Sequence, residues 1–318
     1  MERILLNQLK GESRQFDDCV KAMGGIDTFC SSSFWGIAAA KGLMGPREDV
    51  ICKHDAGYIT LMKNVYPDGL RVLEPLEAMW GLGASVIGDE KESGLVLVEL
   101  LDSLGDSWDA LVLTGFEKAS FHFRSIVQAL SKDYKLQLGA EVGRHQASLT
   151  KGFDDYWSKR PRQHRKNLRQ IEKNMPFDVV DGSKLSLEEA ITKIIDVERR
   201  SWKGIERVGI EASQLIDFYK AMLRMMWPLG MVELLFVKDG LWDVGFILGA
   251  VFNRIYRGLQ FAYDANYRTY GLGHYCQWMQ LQRLSRDVDV YDLGTEGLDY
   301  KKKWSDTVVR TINLHVFR

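Results

Sequence analysis

The chain has 318 residues, 46% hydrophobic and 11% aromatic, enough to bury the core of one large domain or two ordinary ones. Its 42 Lys and Arg balance 43 Asp and Glu, so bulk charge points to neither nucleic acid nor an anionic membrane as a partner. The apolar run in Met1–Gln8 is too short for a secretory signal, and nothing approaches the ~18 apolar residues of a membrane span.

The four cysteines, Cys19, Cys30, Cys52 and Cys276, show no paired framework, and the six histidines show no ligand spacing. The expectation is a cytoplasmic protein with reduced thiols, no bound metal and no membrane contact.

In chain order, helix-like sequence covers Gln15–Met23 and Trp35–Lys41, followed by turn signals at Gly45-Pro46 and Pro67-Asp68-Gly69. Strand-like runs follow at Gly57–Met62, Val86–Gly88 and Asp109–Leu113, the last after a helix at Ser93–Leu104. A helix at Phe123–Ser131 leads into a strand at Tyr134–Leu138. One long basic helix is expected over Phe153–Asn174, then helices at Leu187–Ser201 and Ser213–Trp227. Strands are predicted at Met231–Val237, Trp242–Phe252 and Ile255–Tyr263, the first two joined by a Lys238-Asp239-Gly240 hairpin. A helix from Tyr275 to Leu284 precedes a last strand at Val288–Leu293, and a polar turn and Val308–Phe317 close the chain. Strands mixed with helices of this length indicate an α/β or α+β layer architecture, divided here as residues 1–149 and 150–318.

A hexapeptide, Gln128-Ala129-Leu130-Ser131-Lys132-Asp133, recurs as Gln282-Arg283-Leu284-Ser285-Arg286-Asp287, each copy at the end of a helix and the start of a strand. It suggests two halves built from one unit.

The segment Arg268-Thr269-Tyr270-Gly271-Leu272-Gly273-His274 joins a predicted strand to a predicted helix through two glycines. The first amides of a helix have no intrahelical acceptor, and the peptide dipoles add about half a positive charge there, so such a turn can hold a phosphate. The same residues also suit a plain tight turn.

The Arg-x-x-Gly-x-Gly spacing resembles the pyrophosphate loop of the GNAT acyltransferase superfamily. Three further segments strengthen the match. Phe153-Asp154-Asp155-Tyr156-Trp157 with Arg165-Lys166-Asn167-Leu168-Arg169, then Glu198-Arg199-Arg200-Ser201-Trp202-Lys203-Gly204, and finally Asp292-Leu293-Gly294 with Tyr300-Lys301-Lys302-Lys303-Trp304, resemble the CelD/BcsL-type acetyltransferases. The resemblance implies two tandem GNAT-like domains, each a mixed, mostly antiparallel sheet flanked by helices, as in FemX-type transferases. It further implies transfer of an acetyl or short acyl group from acyl-CoA to an amine, or a hydroxyl, of a small metabolite or sugar. The first half would lack the phosphate loop. FemX-type relatives use aminoacyl-tRNA instead, and a catalytically silent ligand- or RNA-binding module is a third reading.

Within that resemblance, Arg268, Gly271 and the amides of Leu272, Gly273 and His274 would hold the CoA phosphates. Asp292 is either the general base or a turn former before Gly294, with Asp264 and Glu296 as other carboxylates. Tyr300 would protonate the leaving group, and Lys301 would meet an anionic part of the substrate or belong to a solvated lysine run. Residues Lys151–Lys173 carry a net charge of +5, and Arg162, Arg165 and Arg169 share one helix face that could bind an anionic acceptor, a CoA phosphate or tRNA. Trp202 and Lys203 would line the acceptor pocket. Cys276 is expected in the core. A small-molecule acceptor and a monomer or weak homodimer complete the expectation.

Overall fold

The computed structural model describes every residue except Met44, residues 212–214 and Leu298. The chain forms two compact units: Met1–Gly143 together with Val309–Arg318, and Arg144–Val308. The sequence division at 149/150 placed Val309–Arg318 in the second half; here that segment belongs to the first unit.

The first unit contains strands β1 (Glu2–Ile4), β2 (Glu48–His54), β3 (Gly57–Val65), β4 (Arg71–Pro75), β5 (Val86–Gly88), β6 (Ala110–Phe116) and the first part of β7 (Lys135–Ser148). Helices α1 (Leu6–Gly11), α2 (Ser13–Ala22), α3 (Ser33–Gly42), α4 (Ser93–Leu104) and α5 (Phe121–Leu130) accompany them. The pairings β1–β2, β2–β3 and β3–β4 are antiparallel, β4–β6 is parallel, and β6 pairs antiparallel with the strand Thr307–Phe317. Serine caps start the helices: the Ser32 and Ser120 hydroxyls accept the amides of Trp35 and Phe123.

The second unit opens with α6 (Gly152–Ser158) and α7 (Arg162–Lys173). The single basic helix expected over Phe153–Asn174 is thus two helices. Proline cannot donate the next backbone bond and biases the preceding residue away from helix, so Pro161 separates them. After β8 (Asp178–Asp181) come α8 (Leu187–Arg200), α9 (Trp202–Ile205) and α10 (Leu215–Met226). The predicted start of α10 at Ser213 lies outside the described residues. Strands β9 (Val232–Asp239), β10 (Trp242–Phe252) and β11 (Ile255–Tyr263), helix α11 (Leu272–Leu284), β12 (Val290–Thr295) and β13 (Thr307–Phe317) complete the chain.

In this unit β8–β9, β9–β10 and β10–β11 are antiparallel, β11–β12 is parallel, and β12 pairs antiparallel with the end of β7. The series of pairings repeats that of the first unit. In each unit the strand pairing is mixed and mostly antiparallel, with helices against it, as the resemblance implies.

The repeated hexapeptide is not the trace of this duplication. By topology α4, which precedes β6, corresponds to α11, which precedes β12. The copy at Gln128–Asp133 instead ends α5. The counterpart of the glycine loop is therefore the β4–α4 connection.

Two apolar clusters hold α11 in the second unit. Trp157, Leu168, Trp278, Tyr291 and Trp304 pack in one; Phe177, Val244, Leu272, Tyr275 and Cys276 pack in the other. Buried aromatic side chains of this size dominate core energetics, each covering roughly 150–250 Å².

Candidate active site

The second unit's sheet opens between β11 and β12. The ladder between β11 and β12 pairs Ile255 with Val290, Tyr256 with Tyr291 and Arg257 with Asp292, and goes no further among the described residues. Strand β11 continues to Tyr263 and β12 to Thr295. Backbone groups of β11 beyond Arg257 on that edge are therefore released from β12. On its other edge β11 stays paired with β10, with a bulge that leaves Leu259 as the extra residue between Gly258 and Gln260. The result is a wedge that widens toward the start of α11.

Two ammonium groups, of the half-buried Lys203 and the buried Lys301, enter the wedge region. Lys203 Nζ donates to Gln260 Oε1 at 2.7 Å and to the Phe261 carbonyl at 3.1 Å. Gln260 in turn donates to the Tyr219 hydroxyl at 3.0 Å. Lys301 Nζ donates to the Thr295 carbonyl at 2.7 Å. Burial lowers the pKa of both lysines, that of Lys301 to about 8 despite the Asp292 charge that favours its protonated form. The Tyr300 ring lies 5.9 Å from the ring of Phe261, and burial pushes its hydroxyl up to about 12. At neutral pH Tyr300 therefore holds its proton.

Asp292, the expected base, is tied into a buried cluster. It is fully buried and accepts from Arg144 Nη1 at 2.5 Å, Gln146 Nε2 at 2.8 Å and the Gly294 amide at 2.7 Å, with Arg257 Nη2 at 3.5 Å. A carboxylate held by two arginines and a turn amide has its lone pairs committed. The turn-forming alternative is the one the geometry favours, enlarged by a buried ion-pair cluster. Asp264 is likewise structural: it caps the turn Ala265–Tyr270 through the Asn266 amide and accepts from Arg200 Nη1 at 2.6 Å. Glu296 is exposed.

The glycine loop differs from a bare anion cradle. Gly271 sits at φ +71° as the N-cap of α11, a left-handed conformation that favours glycine. A Cβ there would meet Ile171 of α7 at 3.0 Å, and one at Gly273 would meet the Phe261 and Tyr263 rings at 3.2 and 3.3 Å. Both glycines thus have packing reasons. The His274 amide donates to the Gly271 carbonyl at 3.0 Å, so of the three expected phosphate donors only those of Leu272 and Gly273 stand ahead of the first bonded turn. Arg268 is exposed.

Helix α7 lies beside this loop. His164 and Leu168 are buried, Arg165 is half-buried, and Arg162 and Arg169 are exposed. Trp202 is 52% exposed at the start of α9, so it is a surface side chain next to the inward-reaching Lys203. Glu198 fixes this region: it is buried, accepts the Ile210 amide at 2.7 Å, and would collide with any side chain at Gly209. Sequence reasoning placed Glu198 in a motif segment without giving it a role, and did not single out Arg144, Arg257 or Gln260; a charged Arg257 inside an otherwise apolar strand was the available signal. Among the described residues no three His, Cys, Asp or Glu side chains are grouped to hold a metal, and no helix is long and apolar enough to cross a membrane.

The wedge, the glycine loop and Lys301 fall in a part of the chain that matches a known family. Residues 158–302 match the acetyltransferase (GNAT) domain. That span contains α7, the wedge, the glycine loop and Lys301.

Solved structures extend the likeness to the whole chain. FemX superimposes with a TM-score of 0.68 at 13% identity, covering 98% of this chain and 97% of its own. A conserved protein of unknown function from Bacteroides thetaiotaomicron gives 0.66 at 9%, covering 100% and 99%. L-PGS from Bacillus licheniformis gives 0.53 at 10%, covering 85% and 84%. At such identities the likeness is one of fold alone. No curated protein sequence matches significantly. With the pairing series repeated in the first unit, the chain is a tandem of two GNAT-like folds, the second carrying the matched domain.

Proposed function

We propose that the protein is an acyltransferase of the CelD/BcsL type that moves an acetyl or short acyl group from acyl-CoA to an amine, or less readily a hydroxyl, of a small metabolite or sugar. The observation that carries this reading is the β11–β12 wedge, with Lys203, Lys301 and Tyr300 gathered at it. The donor thioester would lie in the wedge with its carbonyl oxygen toward the freed edge of β11. Backbone donors of this kind contribute about 3 kcal/mol to stabilising a developing oxyanion. Lys301, a cation at pH 7, would strengthen that stabilisation. Tyr300 would give its proton to the departing sulfur. Transfer would be direct, in a ternary complex with the small-molecule acceptor.

Anchoring of the CoA phosphates would rest on the Leu272 and Gly273 amides with Arg268 beside them. Binding is tested by the thermal shift of the purified chain with CoA and acetyl-CoA, Gly271→Glu serving as control. Ligand at 100 times its Kd stabilises the folded state by about 2.7 kcal/mol. Stabilisation lost in the variant supports the loop as the phosphate site; no shift at millimolar CoA refutes the acyl-CoA donor.

A specific observation favours a second reading. Both loop glycines are packed against neighbouring side chains, while Arg162 and Arg169 present an exposed basic face. An aminoacyl-tRNA donor, as the FemX-type resemblance implies, would use that face. It predicts tRNA binding that weakens steeply with salt and is lost in an Arg162→Ala, Arg169→Ala double variant.

A further inference from the structure

With Asp292 and Asp264 committed to arginines, the wedge needs another group to take the proton of an incoming ammonium. His274 is the second residue after Leu272 at the start of α11, and its half-buried ring lies on the Tyr300 side of the helix. Ring centroids of His274 and Tyr300 are 6.4 Å apart. The imidazole stacks on Trp304 at 6.0 Å with an interplanar angle of 24°, which fixes its plane. Behind it stands the buried His164, whose ring is 5.9 Å from that of His274 and 4.7 Å from Trp304. Among the described residues, neither the His274 ring nitrogens nor the Tyr300 hydroxyl has a hydrogen-bond partner, and neither group is sealed from solvent. Two free polar groups, one able to accept a proton and one to give it, therefore flank the same opening.

We propose that the His274 imidazole is the general base of the acyl transfer, paired with Tyr300 as the general acid. This rests on the acyltransferase reading given above. His274 takes one proton from the acceptor ammonium. The freed nitrogen lone pair forms the N–C bond to the thioester carbonyl carbon, and the C–S bond breaks. Sulfur leaves with the Tyr300 proton, the second proton of the nitrogen restores Tyr300, and the His274 proton passes to solvent.

The surroundings suit this role. The groups facing His274 are His164 from α7 and Tyr300, Lys303 and Trp304 from the turn after β12, with Phe261 beyond Gly273. Burial first, and then the Lys303 charge, lower the His274 pKa, so the ring is neutral and ready to accept at pH 7. His164 is held at about 4 by burial and adds no positive charge.

The test is thiol release from acetyl-CoA with glucosamine, ethanolamine and glycine as acceptors, measured across pH for the full chain and for His274→Gln. The expected result is an acid limb in kcat/KM for the wild type that the variant lacks, a rate lower by ~10²–10⁴, and partial rescue by imidazole in the buffer. Acetyl-CoA binding, read by thermal shift, is expected to survive. A variant within threefold of wild type that keeps the acid limb overturns the assignment while leaving the donor reading intact. On the wild-type chain, the ¹⁵N imidazole signal of His274 should titrate at the midpoint of that limb; a midpoint more than about one pH unit away overturns it independently of the variant's folding. If no acceptor yields thiol and acetyl-CoA moves no melting temperature, the acyl-CoA reading falls and this assignment with it.

Discussion

Replacing Asp292 with alanine separates a structural carboxylate from a catalytic one. The side chain is fully buried, and the two arginines that face it, Arg144 and Arg257, have side chains only 3% and 4% exposed. Alanine would leave two guanidinium groups in a low-dielectric pocket without the carboxylate that offsets their charge, and would also free the Gly294 amide. Breaking a buried pair by removing one partner costs ~3–5 kcal/mol, because the remaining charge stays desolvated. For a domain of 150–250 residues each kcal/mol shifts Tm by roughly 2–4 °C, so the expected drop is about 6–20 °C. Urea unfolding followed by tryptophan fluorescence reads the second unit through Trp157, Trp278 and Trp304, all in its core. Asp292→Asn keeps the shape and an acceptor for Gly294, and should lose less. An Asp292→Ala chain within 1 kcal/mol of wild type, yet more than a hundredfold slower in transfer, would refute the reasoning and restore Asp292 as the base.

Four further outcomes are expected. Lys301→Met should remove a rise in stability between pH 8 and 10.5: the folded pKa near 8 lies below the unfolded 10.5, so the unfolded state binds more protons in that window and stability grows with pH. The size is about 3 kcal/mol, read as the difference between wild-type and variant unfolding curves at pH 7.5 and 10. His122, fully buried and stacked on Phe116 in the first unit, is held at about 4, so wild-type stability should fall as pH drops from 6.5 toward 4; His122→Phe should flatten that slope in acid melts. Gly271→Ala forces a Cβ into a left-handed residue and against Ile171, a loss of ~1–2 kcal/mol by chemical denaturation. Cys276 is buried with its thiol pushed up to about 12, so iodoacetamide should spare it in the native chain and label the half-buried Cys19 first, as mass spectrometry of the digest would reveal.

Local pattern made much of the fold legible. Strands β5, β10 and β11 and helix α4 span the residues expected of them, because apolar periodicity ends there at clear turn residues. Strands β2 and β4 carry little sequence signal because charged residues, as in Glu48-Asp49 and Glu74, interrupt their apolar runs. Pro161 is masked as a helix boundary because the basic periodicity continues on both sides of it. Around the site the motif segments did converge: Lys203, Tyr300, Lys301 and the glycine loop lie in one unit about the wedge. What the sequence could not reveal was pairing at a distance. Asp292 looks like a strand-end carboxylate until Arg144, 148 residues earlier, is seen against it. The parting of β11 from β12 is likewise a property of two strands together, written in neither alone.

Strand β13 has a consequence for synthesis on the ribosome. Residues 309–318 belong to the first unit, where Ile312–Phe317 pair along Phe116–Ala110 of β6. Translation must therefore pass through the whole second unit before that edge of β6 is covered. At ~5–20 residues per second the delay is roughly 10–40 s. An uncovered strand edge is a template for pairing with other chains. The nascent protein thus carries a temporarily adhesive apolar edge, and any chain released before residue 309 would carry it permanently.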